Sequence, residues 1–384
     1  MGLAGNALPL TILGTLIFLT MMPWEPLDFA HRMRSCAQVR QVDWYATAIC
    51  SVDAFTTTPS FLSLFAGFLE QRVDFVAAPL PNVPQGWKPK ISLRWFAPFF
   101  SSGGYSSEAL AYVSYLHDKI PLAISQHGDS VNEDFLRGLP VDVHGMLRDA
   151  TRRRLRPGTT IDICHSEPGA WSVPTPKYLT SECPTRQGVY AVGRTMFETD
   201  RIPDGWAQRM NQLDEIWVPA HFHVDTFVQG GVAQEKIHVV PEAVDTAMYD
   251  PNSAQPYPQM AAEKRYKFLS VFKWEARKGW DVLLRSYFTE FTRKDDVVLF
   301  IRTYAYHSDS NFVEKIANFA RSELGKELDE LPEVVVLDRE LPLETMPQLY
   351  KGADCFVLPS RGEGWGRPHI EAMAMGLPAV ATGW

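Results

Sequence analysis

Two carboxylates, Glu363 and Glu371, stand with seven residues between them in the run Pro359-Ser-Arg-Gly-Glu-Gly-Trp-Gly-Arg-Pro-His-Ile-Glu371. A Gly364-Trp365-Gly366 turn follows the first, and a helix expected from near Pro368 carries the second. Just upstream, Ala353-Asp-Cys-Phe-Val-Leu358 reads as a short buried strand. Strand, glycine turn and helix together leave backbone N–H groups at a helix N-terminus, where an anionic phosphate binds well. The turn carboxylate then faces whatever the phosphate carries, and the helical one lies within reach of a ribose. The chemistry this suits is the handling of a nucleotide-activated sugar. Glu371 alone would read as an ordinary first-turn carboxylate favoured by the helix dipole; its pairing with Glu363 at this spacing favours the functional reading.

These groups need a scaffold. Ile91–Ala97, Pro121–Ser125, Thr160–Cys164, Val189–Val192 and Glu215–Val218 read as strands in the first half of the chain. Phe268–Phe272, Val297–Ile301, Val334–Leu337, Cys355–Leu358 and Ala379–Ala381 repeat the pattern in the second. Helical segments separate them, which implies α/β architecture with parallel sheets and right-handed crossovers. Asp250–Pro258 is a credible linker between the halves. The expected organisation is an apolar segment at 1–24, an extension and Pro-rich linker at 25–90, a first Rossmann-like domain at 91–250, a linker at 251–264, and a second Rossmann-like domain at 265–384.

The run from Glu363 to Glu371 resembles the E-x7-E signature of retaining glycosyltransferases of family 4 (glycosyl transferases group 1), which have the GT-B fold of two Rossmann-like domains facing across a cleft. Lys273-Trp-Glu-Ala-Arg-Lys278-Gly279, after Phe268–Phe272, resembles that family's first C-domain loop, where a basic residue and a later Lys-Gly grip the donor diphosphate. Family members usually carry Arg at the first basic position, and Lys273 substitutes a point charge for a bidentate fork. Lys236–Asp245 resembles the strand that closes the N-terminal domain, usually ending Pro-Asn-Gly-Val-Asp; here Glu242-Ala243 replaces Asn-Gly. Family members also continue beyond Trp384 with helices that cross back onto the N-terminal domain, so the resemblance implies an incomplete C-terminal domain.

The resemblance implies roles. Glu363, Lys278, Lys273 and His165 are the catalytic candidates; Gly103, Gly104, Gly364, Trp365, Gly366 and Glu371 are the donor-binding ones. His127, Arg194 and Glu198 fall in the half that usually meets acceptor. Gly103-Gly104 lacks GxGxxG spacing, so it is either a plain tight turn or a backbone approach to the donor phosphate. His165 at a strand's C-terminal end is a donor contact or a structural hydrogen-bonder, with His127 competing for the former role. Lys278 could otherwise face solvent, as most lysines do.

Composition bounds the rest. The 384 residues are 46% hydrophobic and 21% charged, enough for two domains with cores. A net charge of −8 argues against a general nucleic-acid binder. Five cysteines without CxxC spacing suggest thiols rather than a disulfide framework or zinc site. The arginines between Arg148 and Arg156 read as a solvated helix face, with anionic lipid headgroups as the alternative. Met1 to Trp24 holds no charged side chain, which reads as an uncleaved anchor or a signal peptide. Membrane association or the secretory pathway (ER/Golgi) is therefore expected, although Arg32, Arg34 and Arg40 would keep the following side cytosolic.

The expected reaction moves a sugar from a nucleotide-sugar to an acceptor (glycan, lipid or protein), with retention, without cofactor and without metal, because no Asp-x-Asp motif sits at a strand end. Cationic side chains and a helix N-terminus would stabilise the departing diphosphate. The rival from another class is a non-catalytic nucleotide-sugar- or glycan-binding fragment of such an enzyme. A pyridoxal-phosphate phosphorylase and a Rossmann dehydrogenase lack their motifs.

Overall fold

The computed structural model describes residues 33–34, 91–156, 158–171, 181–305, 309–339 and 341–383. Segment 1–24, and 25–90 apart from Met33 and Arg34, lie outside the described residues, so the expectations placed there are not addressed. Among the described residues, no helix is long and apolar enough to cross a membrane.

Two parallel sheets organise the chain. The first has six strands: β1 Ser92–Ala97, β2 Leu122–Gln126, β3 Thr160–His165, β4 Tyr190–Arg194, β5 Glu215–Val218 and β6 Ile237–Val239, in the order β2-β1-β3-β4-β5-β6. The second has five: β7 Tyr266–Trp274, β8 Val297–Ala305, β9 Val334–Leu337, β10 Cys355–Leu358 and β11 Ala379–Ala381, in the order β11-β10-β7-β8-β9. Parallel strands buried on both faces read as continuous apolar runs, and Phe268, Leu269, Val298, Leu299, Phe300, Phe356, Val357 and Leu358 are all buried.

Chain order reverses between β1 and β3 in the first sheet and between β7 and β10 in the second. At such switch points the loops leaving the strands diverge to opposite faces and open a crevice for ligand. The Lys273–Gly279 motif runs from the last residues of β7 into the loop beyond it and the Pro359–Glu371 motif follows β10, so the topology brings both to one edge.

Three expectations are corrected. β7 and β8 each extend to nine residues, so Lys273 lies in a strand, paired with Tyr304 of β8, and not in the loop beyond it. Cys164 and Cys183 form a disulfide. The thiol reading failed because their partnership depends on a loop folding back to the end of β3, which spacing does not encode. Cys355 is a buried thiol. Finally, His165 closes β3 instead of following it. The arginine run is, as expected, exposed: Arg148, Arg152, Arg153, Arg154 and Arg156 all face solvent.

Candidate functional site

Loop 275–279 turns sharply out of β7. Gly279 has φ +67°, and a Cβ there would run into the Pro359 carbonyl, so glycine is required on both counts. This close approach lets the β7 and β10 loops knit together. The Arg361 amide donates to the Arg277 carbonyl at 2.7 Å. The Arg361 guanidinium donates to the Ala276 carbonyl at 2.6 Å and forks onto Asp281 at 2.8 and 2.6 Å. In return, Arg277 donates to the Gly362 carbonyl at 2.8 Å and to Glu275 at 2.7 Å.

Within that frame, Lys278 Nζ donates to both Glu363 carboxylate oxygens at 2.7 Å. Burial pushes the Glu363 carboxyl up, but the Lys278 ammonium, His369 and Arg277 outweigh it and hold the group below the ordinary carboxylate range. Glu363 is therefore an anion at neutral pH. Lys278 has three N–H donors, of which this carboxylate engages two. Lys273, one strand end away, is half-buried; burial depresses its ammonium, opposed by Glu275 and by Asp129 of the N-terminal half.

The chain then reverses through Gly364, Trp365 and Gly366. Gly366, at φ +86°, precedes helix Arg367–Ala374, where a left-handed residue favours glycine. Glu371 sits one turn into that helix, nearly buried. Tyr350 donates its hydroxyl to Glu371 Oε2 at 2.9 Å, and Arg367 Nε lies 3.8 Å from Oε1. Burial raises the Glu371 carboxyl, with Arg367 the first opposing influence.

The N-terminal half meets this loop closely. A Cβ on Gly362 would strike the Glu198 carbonyl, and one on Gly364 would strike the Met196 thioether. Arg277 lies 3.4 Å from Glu198, a half-buried residue that thus faces the cleft. Met196 is held in turn by Tyr105, whose hydroxyl donates to the Met196 carbonyl at 3.1 Å and accepts from its amide at 3.3 Å. Tyr105 is the second residue of helix Gly104–Leu116, whose N-cap is Gly103. At Gly103 and Gly104 an added Cβ meets nothing within 4 Å. Their glycines therefore face open space and not a packed wall.

His165 and Arg194 lie at the C-terminal ends of β3 and β4, as the sequence suggests, but they point into the fold, and His165 is the structural hydrogen-bonder of its two alternatives. Both are 0% exposed, as is Glu108 between them. Trp95 Nε1 donates to His165 Nδ1 at 3.0 Å, so the proton sits on Nε2, which donates a hydrogen bond to Glu108 at 2.9 Å. Arg194 Nε donates to the other Glu108 oxygen at 2.6 Å, and its Nη1 to the Val240 carbonyl at 2.5 Å. Burial drives the imidazole down, so it stays neutral. Burial alone would raise Glu108, yet His165 and Arg194 together keep it low. With both ring nitrogens and the guanidinium committed inside the fold, this network braces the domain, and neither residue presents a polar edge to the cleft. His127 is likewise buried: its Nδ1 meets the Ser181 carbonyl at 2.9 Å, and burial pushes its pKa down to about 4. The disulfide ties the same returning segment to the neighbouring strand end.

Sequence reasoning missed Arg277, Arg361, Asp281, Arg367 and Tyr350. Three of these arginines lie inside the quoted motifs and were legible as charges; their partners were not. The unusual Glu242 now has an explanation. Arg367, where the motif's helix begins, donates to its Oε2 at 3.3 Å.

Two parallel-sheet domains, with basic residues and carboxylates at the switch point of the second, place these side chains where open α/β sheets bind their ligands. Residues 263–384, about a third of the chain, match the family model of the glycosyl transferases group 1. The mannosylfructose-phosphate synthase of Agrobacterium fabrum is 28% identical over 157 residues, 40% of this chain and 34% of that protein. The match thus spans about a third of the relative's length. Among solved structures, Anabaena HepE in complex with UDP-glucose superposes with a TM-score of 0.52 at 12% identity, covering 76% of this chain and 80% of the other. Its complex with UDP and glucose gives 0.50 at 14% identity, with the same coverage. At such identities the likeness is one of fold, and that fold is GT-B.

Proposed function

We propose that this chain is a retaining glycosyltransferase that moves a sugar from a nucleotide-sugar donor to an acceptor hydroxyl on a glycan, lipid or protein. One observation carries the reading: Lys278 and Glu363, from loops far apart in sequence, meet at the switch point of the second sheet beside the helix N-terminus at Gly366. UDP-linked sugars are the donors to try first, since HepE is described with UDP-glucose.

In this reading the donor diphosphate lies against Lys273, Lys278 and the amides at the start of helix Arg367–Ala374. The Gly103-Gly104 turn approaches from the other domain. Glu363 orients the sugar hydroxyls, Glu371 accepts hydrogen bonds from the ribose, and Glu198 lines the acceptor side. As the bond between anomeric carbon and diphosphate breaks, its electron pair passes to the phosphate oxygen, where preorganised cations stabilise it. The acceptor hydroxyl attacks from the same face, forms the new C–O bond and gives its proton to the departing phosphate. The sequence motifs offer no clear nucleophile for a double displacement, which is why this reading takes the front-face course. The apolar N-terminus suits attachment to a secretory-pathway or other membrane, where lipid-linked acceptors reside.

Incubation of the chain with UDP-sugars and candidate acceptors, followed by NMR of the product's anomeric proton, tests this. A product with the donor's configuration supports it. Nucleotide binding without turnover would instead favour a non-catalytic binding protein.

A further inference from the structure

The segment 240–243 leaves β6 and passes toward the second domain, and it is gripped from both sides. From the first domain, Arg194 donates to the Val240 carbonyl at 2.5 Å and Tyr112 donates its hydroxyl to the Pro241 carbonyl at 2.6 Å. From the second, Arg367 donates to Glu242 Oε2 and to the Ala243 carbonyl, both at 3.3 Å. The Glu242 side chain is 2% exposed. A lone buried carboxyl would be costly, and a guanidinium from the facing domain is what offsets it.

Arg367 has a second neighbour. Its Nε stands 3.8 Å from Glu371 Oε1, one turn further along the same helix, while Tyr350 occupies Oε2. Of the groups facing Glu371, Arg367 opposes its neutralisation most. An ionised carboxylate only accepts hydrogen bonds, the form a pair of ribose hydroxyls requires, whereas a protonated one spends an oxygen as donor. Arg367 therefore stands between the first domain's Glu242 and the second carboxylate of the motif.

We propose that Arg367, held by Glu242 across the two domains, is a positioning residue for the nucleotide part of the donor, acting through Glu371. The inference rests on the donor reading above. It adds that the grip on the ribose and the closeness of the two domains are one event: a cleft that opens takes Glu242 away from Arg367 and loosens Glu371. The Glu242-Ala243 sequence, odd against the usual Asn-Gly, is the first-domain half of this pair.

The test uses the full chain, the variants Arg367→Leu, Arg367→Lys, Glu242→Leu and the Leu/Leu double, and UDP, GDP and ADP as probes. Calorimetry reads the dissociation constant, steady-state kinetics separate donor KM from kcat, and unfolding without ligand reports the fold. For the nucleotide that binds wild type, Arg367→Leu should weaken binding and raise donor KM about tenfold, the scale of one charge-assisted contact, with kcat within a few-fold. Arg367→Lys should restore most of the affinity. Glu242→Leu should weaken binding in the parent but add little to Arg367→Leu, because the two act as a unit. Affinity within twofold of wild type in a folded Arg367→Leu protein would overturn the inference while leaving the donor reading intact, as would losses that simply add. A wild type that binds none of the three nucleotides would overturn the donor reading, and this inference with it.

Discussion

Lys278 and Glu363 are 85 residues apart in sequence and 2.7 Å apart in space, with the lysine on both carboxylate oxygens. The pair joins the loops after β7 and β10, the two strands between which chain order reverses. It is thus at once a strut between loops and the centre of the proposed donor site.

Removing one member leaves the other's charge in a largely dry site. Lys278→Ala should cost about 3 kcal/mol of stability, in the range for breaking a buried pair, and Glu363→Gln somewhat less because an amide can still accept from the lysine. Chemical denaturation measures both. Turnover should fall about 100-fold or more in each, as when a preorganised charge contact is lost.

The pH dependence of the pair has a definite sign. The folded Glu363 carboxyl lies below its ordinary value of 4.5. Its contribution to stability is therefore complete above 4.5 and is lost as pH falls through the lower folded value. Glu363→Gln should flatten that part of an acid-unfolding curve; an unchanged acid limb would count against the ion pair.

Glu242 behaves oppositely. Burial and the nearby Glu108 raise its carboxyl from 4.5 to about 8, against Arg367 and Arg194. The unfolded chain releases this proton first, so the stability the group contributes is full below 4.5 and declines as pH rises toward about 8. Glu242→Gln should remove that decline. Denaturation midpoints measured from pH 5 to 8 in wild type and variant would show it.

Contacts between the halves can be probed through two glycines. An Ala at Gly362 meets the Glu198 backbone carbonyl, whereas an Ala at Gly364 meets the flexible Met196 side chain. Gly362→Ala should cost about 1–3 kcal/mol or push the domains apart. Gly364→Ala should be milder and be relieved by Met196→Ala. Unfolding and solution scattering distinguish these outcomes.

Much of the architecture was legible because buried parallel strands announce themselves as uninterrupted apolar runs. Glu215–Val218, Val334–Leu337, Cys355–Leu358 and Ala379–Ala381 are strands with the bounds that the sequence suggests. β7 and β8 were read short, since Lys273 and Arg302 break the apolar run while continuing the pleat. The donor-side motifs were legible because each is contiguous. What the sequence hid were partnerships across distance. Glu108 answers His165 and Arg194 from 57 and 86 residues away, and so turns two apparent cleft residues into bracing. Glu242 and Arg367 are 125 residues apart, and only the folded chain shows that one odd residue explains the other.

The most direct measurement of the central claim is thermal stability of the chain with UDP, GDP and ADP, beside Lys278→Ala. A nucleotide at about 100 times its dissociation constant adds about 2.7 kcal/mol, a readily seen shift. The account predicts that one nucleotide stabilises the wild type and that Lys278→Ala abolishes the effect. Equal stabilisation of the folded mutant, or no stabilisation of the wild type by any of the three, would contradict the placing of the donor site at Lys278 and Glu363.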